Sequence, residues 1–505
     1  MTRLYALIIT ILSAAATAAA LPLSGYADHS VLAEGRWVKI AVPSTGLYRI
    51  TPAQLRNWGF SSPENVRVYG YGGRRIDDKL SADTYIDDLP PVQTSVSPRG
   101  ITFYAVGPDE LSLSSDGTHF NLRTSPYTTA GYYFLSENTA PAREIPLSGV
   151  AEATSPATTF TEVLHHEIDR VTPGEAGPLL VGEEFRLTPR RDFSFTATDR
   201  ADGTPLWLQC GFLAVTPSAA SYVDFAINGN ALERNSTDRI PTMSSSGYQH
   251  AMMTIATHTF DLASNPQFKV QVSHSSPASP VYNAWLDYLT INYERSLAMP
   301  ASGALEFRST SSALRLGGAA SGVEVWDVTD PLDIQLMRTG SSGADAVWTN
   351  DYTGLRHYAA FSADATLPAP EFVQTVANSD LHSHSGYDMV IFTPGIMRAA
   401  AERIAEMHRA EPDTMRVAVV DVEQVYNEFG SGAPDVSALR KYLKMLFDRG
   451  NDAGHTLRYA LLMGRPTYDH RRLTSDMQRA TWPVLPCWVN RDDEDSLSDS
   501  FGFGT

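Results

Sequence analysis

Nucleophilic side chains are scarce in this chain: among 505 residues there are two cysteines, Cys210 and Cys487. A thiol attacks carbonyls only as thiolate, so it needs a neighbouring base such as histidine. His455 and His470 lie in the same stretch as Cys487. Yet Pro486-Cys487-Trp488 follows a Pro-rich loop and does not end a clear strand. Cys487 therefore reads as a partly buried structural thiol. The two cysteines fall in different predicted domains, so stability must come from large cores and not from disulfide staples.

Other constellations are weaker. His165-His166-Glu167 invites a zinc reading, but the helical metalloprotease pattern needs a second His where Arg170 stands. It reads as ordinary polar residues of a strand or loop. Gly70-Tyr71-Gly72-Gly73-Arg74-Arg75 matches a dinucleotide loop only at its first two glycines, because Arg75 occupies the last glycine position. With no convincing helix after it, a turn is expected. Asp492, Asp493, Glu494, Asp495 and Asp499 offer carboxylates suited to calcium, but without Gly-punctuated ligand spacing. A solvated acidic loop is the preferred reading. No metal site and no cofactor are assigned, calcium being the one ion the acids would suit. Neither a Gly-x-Ser-x-Gly elbow nor a Walker loop is present.

The elements that must carry any chemistry change character near residue 387. From Leu21 to Pro156, short β-like runs alternate with Gly/Pro/Asp turns, as in Trp37-Val-Lys-Ile-Ala-Val42. Thr51-Pro52 starts a short helix closed at Gly59. After a Thr/Ala/Pro/Ser-rich linker come strands typical of a β-sandwich, over 159–297, with a tight hairpin at Asn228-Gly229. A third β-rich stretch covers 298–380. Then Tyr387-Asp-Met-Val-Ile-Phe-Thr393 and Arg416-Val-Ala-Val-Val420 read as buried strands, the first as one buried on both faces, and Leu457-Arg-Tyr-Ala-Leu-Leu-Met463 as a third strand. The intervening helices carry Ile396, Ala400, Ile404 and Met407, then Val436, Leu439, Leu443 and Leu446, the second ended by Arg449-Gly450. Right-handed crossovers make the three strands parallel. The expected chain is multidomain: β-rich, β-sandwich-like N-terminal domains, then an α/β domain over 386–505. Such sheets place chemistry in loops at the carboxyl ends of strands.

A net charge of −18 argues against a nucleic-acid partner bound through phosphates. The N-terminus reads as an export signal: Arg3, the apolar Leu4 to Leu12, then Ala14 to Ala20 with an Ala-x-Ala site at Ala18 and Ala20. Residues 1–20 are the expected signal peptide. A second site, with Gly25 and Ala27 in the small positions, puts the cut as late as 27. The first domain is then 21–156.

Several short motifs, in order along the chain, resemble the gingipain family of cysteine peptidases, in particular its sortases of the bacterial type IX secretion system. They are Trp37-Val-Lys-Ile, Gly46-Leu-Tyr-Arg-Ile-Thr51, Val68-Tyr-Gly-Tyr-Gly72 and Gly131-Tyr-Tyr-Phe-Leu135. Gly182-Glu-Glu-Phe185, Trp285-Leu-Asp-Tyr288, Tyr293-Glu-Arg295 and Val325-Trp-Asp-Val-Thr-Asp-Pro331 follow. The α/β stretch adds Asp421-Val-Glu-Gln-Val-Tyr-Asn-Glu-Phe429, Ser431-Gly432 and Tyr459-Ala-Leu-Leu-Met-Gly464. The resemblance implies a caspase-like peptidase domain with a His–Cys dyad. The Cys would cleave C-terminal signal domains from exported cargo through a thioester, and an amine on anionic lipopolysaccharide would take the cargo. Cargo, other secretion components and lipopolysaccharide are the implied partners; export to the periplasm and then the outer-membrane surface is the implied route. The family's Gly-His-Gly turn and strand-end Cys match nothing here, so no catalytic residue is carried over and the peptidase domain reads as truncated. The competing class is a non-enzymatic envelope protein whose β domains bind cargo or secretion partners.

Overall fold

A computed structural model describes residues 25–486 except 78–79, 83, 174–178, 217–219, 241–250, 278–281, 320–321, 413, 453–454, 468 and 481–483. The export-signal stretch, Cys487 and the acidic loop lie outside the described residues.

The first β unit grows from strand Trp37–Val42, buried at every position. Val38, Ile40 and Val42 face a core shared with Tyr48, Phe103 and Leu135, whereas Lys39 points the other way, toward the α/β block. Strand alternation thus serves two interfaces at once. Its sheet runs Glu371–Val376, Trp37–Val42, Gly131–Glu137, Val66–Tyr69, all antiparallel. A three-stranded sheet, Gly46–Ile50, Gly100–Ala105 and Thr94–Ser97, closes the core. The helix Pro52–Asn57 is capped by Thr51 as expected, and Gln54 completes a capping box.

The second unit is a sandwich. One sheet holds Thr159–Glu167, Ala284–Ser296, Leu206–Ala214 and Met252–Phe260; the other is built on Arg190–Thr196, Gln267–Ser275 and Tyr222–Ile227. Phe212, Phe225, Val270 and Ile291 fill the space between. Asn228 and Gly229 both have positive φ, 50° and 88°, as a two-residue hairpin requires. The third unit pairs Ala304–Ser309, Arg356–Ser362 and Val323–Asp327 over a core with Trp348 and Tyr358. It does not keep all of its own strands: Glu371–Val376 joins the first sheet, and Leu147–Ser148, from the first stretch, pairs in parallel with Gln335–Met337.

The α/β block has three parallel strands in the order Val417–Asp421, Met389–Thr393, Tyr459–Leu462. Met389 and Ile391 face helix Arg398–Arg409, while Val390 and Phe392 face Val422–Phe429 and Val436–Asp452. Two helical expectations need correction. In Arg398–Arg409 the buried residues are Ala401 and Ala405, with Ile404 packed beside them; Ile396 and Met407 are 83% and 72% exposed. Small alanines let the helix lie close to the sheet, and that contact outweighs the larger apolar side chains on the flank. The second helix does not stop at Gly450 but runs on to Asp452. No helix among the described residues is long and apolar enough to cross a membrane.

Candidate functional site

The carboxyl ends of the parallel strands lead into a region rich in buried polar side chains. Asp421 ends its strand and caps helix Val422–Phe429, accepting from Glu423 N at 3.1 Å. This eight-residue helix buries Asn427 and Glu428 along with Val425, Tyr426 and Phe429. Helix and following turn are pressed against the first β unit, and the two surfaces exchange polar contacts.

Three anchors define the seam. Lys39 Nζ donates to Asn427 Oδ1 (3.1 Å) and to the Gly432 carbonyl (2.8 Å), and lies over the Tyr132 ring. Ser431 Oγ accepts from Tyr71 N (2.9 Å) and Gly72 N (3.2 Å) and donates to the Tyr132 carbonyl (3.0 Å). Tyr71 OH donates to the Phe429 carbonyl at 2.8 Å. The Gly70–Gly73 segment is therefore a turn, shaped to seat this serine. Gly70 has φ 115°, and a Cβ there would stand 2.6 Å from Ser431 Oγ.

The third anchor is ionic. Glu428, fully buried, accepts from Ser379 Oγ (2.7 Å), from Leu381 N (3.0 Å) and from His382 Nδ1 (2.9 Å). His382, also fully buried, stacks on Phe429 at 4.3 Å, and its Nε2 lies 3.4 Å from Asp87 Oδ1. That separation is an ion-pair contact and not a hydrogen bond. Burial opposes the imidazolium, but Asp87, Glu428 and Asp88 outweigh it and raise the His382 pKa to about 9. Lys441 and Lys39 move the other way: burial depresses each to about 8, for Lys441 despite Asp87, Asp435 and Asp88 nearby. Residues 26–31 tie the same region together: Tyr26 OH donates to Asp448 (2.6 Å), Ala27 N to Asp87 (2.6 Å) and Val31 N to Asp88 (2.6 Å).

This arrangement fixes the block's position and offers no exposed nucleophile. Cys210, the only cysteine among the described residues, is fully buried, and burial pushes its thiol well up. His455 N bonds the Gly450 carbonyl and His470 packs on Tyr127, while Cys487, the thiol they were weighed with, lies outside the described residues. His165 and His166 sit on strand Thr159–Glu167, not a helix, and bond different acids, Glu167 and Glu183, each at 2.9 Å. Glu167 does meet Asp169 and Asp287, with one carboxylate oxygen from each within 4.8 Å of the others. Burial and Glu167 raise Asp169 to about 6, yet Asp169 is already ion-paired with Arg471. A cation could sit among these three carboxylates, a grouping the sequence reading missed because Asp287 is distant in the chain. The seam was missed likewise, although a lysine inside an apolar strand, Lys39, was its visible signal.

The described residues thus form a β scaffold pinned by buried polar contacts to a parallel α/β block. Residues 382–501, beginning at the seam histidine, match the model of peptidase family C25. The chain is similar to the crystal structure of dimeric latent PorU from Porphyromonas gingivalis, with 25% identity and a TM-score of 0.82, over 94% of this chain and 46% of that one. It thus spans about half the length of that relative. A family 35 carbohydrate-binding module from Clostridium thermocellum aligns at 10% identity over 27% of this chain and 98% of its own, with a TM-score of 0.16. The insecticidal delta-endotoxin Cry8Ea1 from Bacillus thuringiensis aligns at 8% over 45% and 52%, with a TM-score of 0.14. No curated protein matches the chain.

Proposed function

We propose that this chain is the scaffold and first part of the peptidase domain of a PorU-like sortase of the type IX secretion system. In this reading the enzyme removes C-terminal signal domains from exported cargo through a Cys thioester and passes the cargo to anionic lipopolysaccharide at the outer-membrane surface. The chain reaches the periplasm through the signal at 1–20, and other secretion components are its partners. No residue described here is assigned to the dyad. The observation that carries the reading is the coincidence of the family C25 match over 382–501 with a similarity to PorU that extends through the β units to 94% of the chain.

The test is genetic and chemical. Disrupting the gene should leave secreted cargo with its C-terminal signal domain attached, detectable by intact mass, and re-expression should restore cleavage. Normal cargo mass in the disrupted strain refutes the peptidase reading. Unprocessed, mislocalised cargo rescued by a product that never forms a thioester with it would favour the non-enzymatic reading. Burial of Cys210 agrees with that second reading for the β units taken alone.

A further inference from the structure

A cavity of about 600 Å3 lies between the first and third β units, away from the seam's ionic anchor. Arg308 lines it, on strand Ala304–Ser309 directly opposite His357 of the neighbouring strand. The nearby acid Glu306 is engaged elsewhere: its Oε2 lies 3.4 Å from Tyr104 OH and 3.4 Å from His357 Nε2. Arg308 is half-buried and, among the described residues, makes no hydrogen bond or ion pair. A guanidinium cannot shed its charge by losing a proton as a lysine can. Held partly out of water, with Tyr104, Glu306 and Glu162 offsetting the burial only in part, it carries a desolvation cost that a bound anion reduces.

Two more arginines without such partners, Arg74 and Arg123, line the same cavity and are exposed. Asp77, Asp109, Glu110 and Asp330 share the lining, so the cavity is not a uniformly positive well. A dianion would be opposed by these acids. A single carboxylate on a molecule that also presents N–H donors satisfies both signs. We propose that this cavity binds a peptide through a carboxylate, with Arg308 as the anchoring cation and Arg74 and Arg123 at the mouth. Arg308 belongs to neither the α/β block nor the seam, so the site stands whether or not the peptidase reading does.

The experiment is calorimetric titration of the whole chain with tetra-alanine, with its C-terminal amide and with inorganic phosphate. The free acid should bind at least ~10-fold more tightly than the amide, and Arg308→Met should lose that advantage. Ligand-free Arg308→Met should melt no lower than the parent, because it removes an unpaired charge; a structural arginine would give the opposite. Arg308→Lys keeps the charge without the forked donor and should bind more weakly than the parent. Equal affinity for acid and amide, no binding at millimolar peptide, or undiminished binding by either variant overturns the proposal. Tighter binding of phosphate than of peptide overturns the carboxylate assignment.

Discussion

Replacing His382 with glutamine tests the ionic anchor most directly. Its pKa is raised from an ordinary 6.5 to about 9 by Asp87 and Glu428 acting against burial. At about 1.4 kcal/mol per unit, the charged imidazole contributes roughly 3 kcal/mol to holding the block in place. Because the folded-state pKa lies above the unfolded one, this stability is fully present below about pH 6.5. It is lost as pH rises through about 9. Glutamine removes the titration and also leaves Glu428 without its counter-charge, a cost present at every pH. The informative quantity is therefore the change in the parent-to-variant difference between pH 6 and pH 10. Native-state hydrogen exchange, corrected for intrinsic rates and read on peptides from Val422–Phe429, supplies it for this block alone. The protection gap should be larger at pH 6 than at pH 10 by about two orders of magnitude. Contributions from Lys39 and Lys441 are common to both proteins and cancel. A gap of the same size at both pH values would refute the argument that His382 is held charged by the seam.

Three further outcomes are expected. Ser431→Ala leaves the buried Tyr71 and Gly72 N–H groups without an acceptor and should weaken the seam by about 2–4 kcal/mol. Combined with Gly70→Ala, whose added Cβ would meet Ser431 Oγ, it should cost less than the sum of the two single changes, and strict additivity in denaturant melts would contradict the contact. Lys39 has a pKa depressed to about 8 by burial, so the folded state resists its protonation and stability should rise between about pH 8 and 10.5; Lys39→Met should flatten part of that rise in thermal melts, and an unchanged profile counts against it. In a Cys487→Ser chain, Cys210 should resist maleimide at pH 8 until denaturant is added, and rapid native labelling would refute its burial.

Local order was easy to read from the sequence. Thr51-Pro52, Asn228-Gly229 and the three apolar runs of the α/β block each carry their signal within a few residues, and each forms the expected element. Long-range pairing was not legible. Nothing in Glu371–Val376 itself indicates that it leaves the third unit to flank Trp37–Val42, because backbone pairing leaves little trace in side-chain pattern. Helix orientation failed at Arg398–Arg409 because residue size alone favoured Ile396 and Met407, whereas close approach to the sheet favoured Ala401 and Ala405. At the seam, His382, Glu428, Lys39 and Lys441 are polar residues that composition would place at the surface. Their partners lie as many as 393 residues away in sequence, as for Lys39 and Gly432.

The pairing of Trp37 with Val376 also sets the order in which the molecule can be assembled. A chain leaving a ribosome or a translocon presents Trp37–Val42 early, and its neighbour Glu371–Val376 emerges only after the whole sandwich. Until then the strand has Gly131–Glu137 on one side and an open row of backbone donors and acceptors on the other. Closing so long a loop is slow compared with the folding of the sandwich within it. The first sheet is thus the last of the β scaffold to be sealed, and its sealing delivers residues 377–382, and with them His382, to the seam. Assembly of the scaffold and docking of the α/β block are consecutive events on one thread.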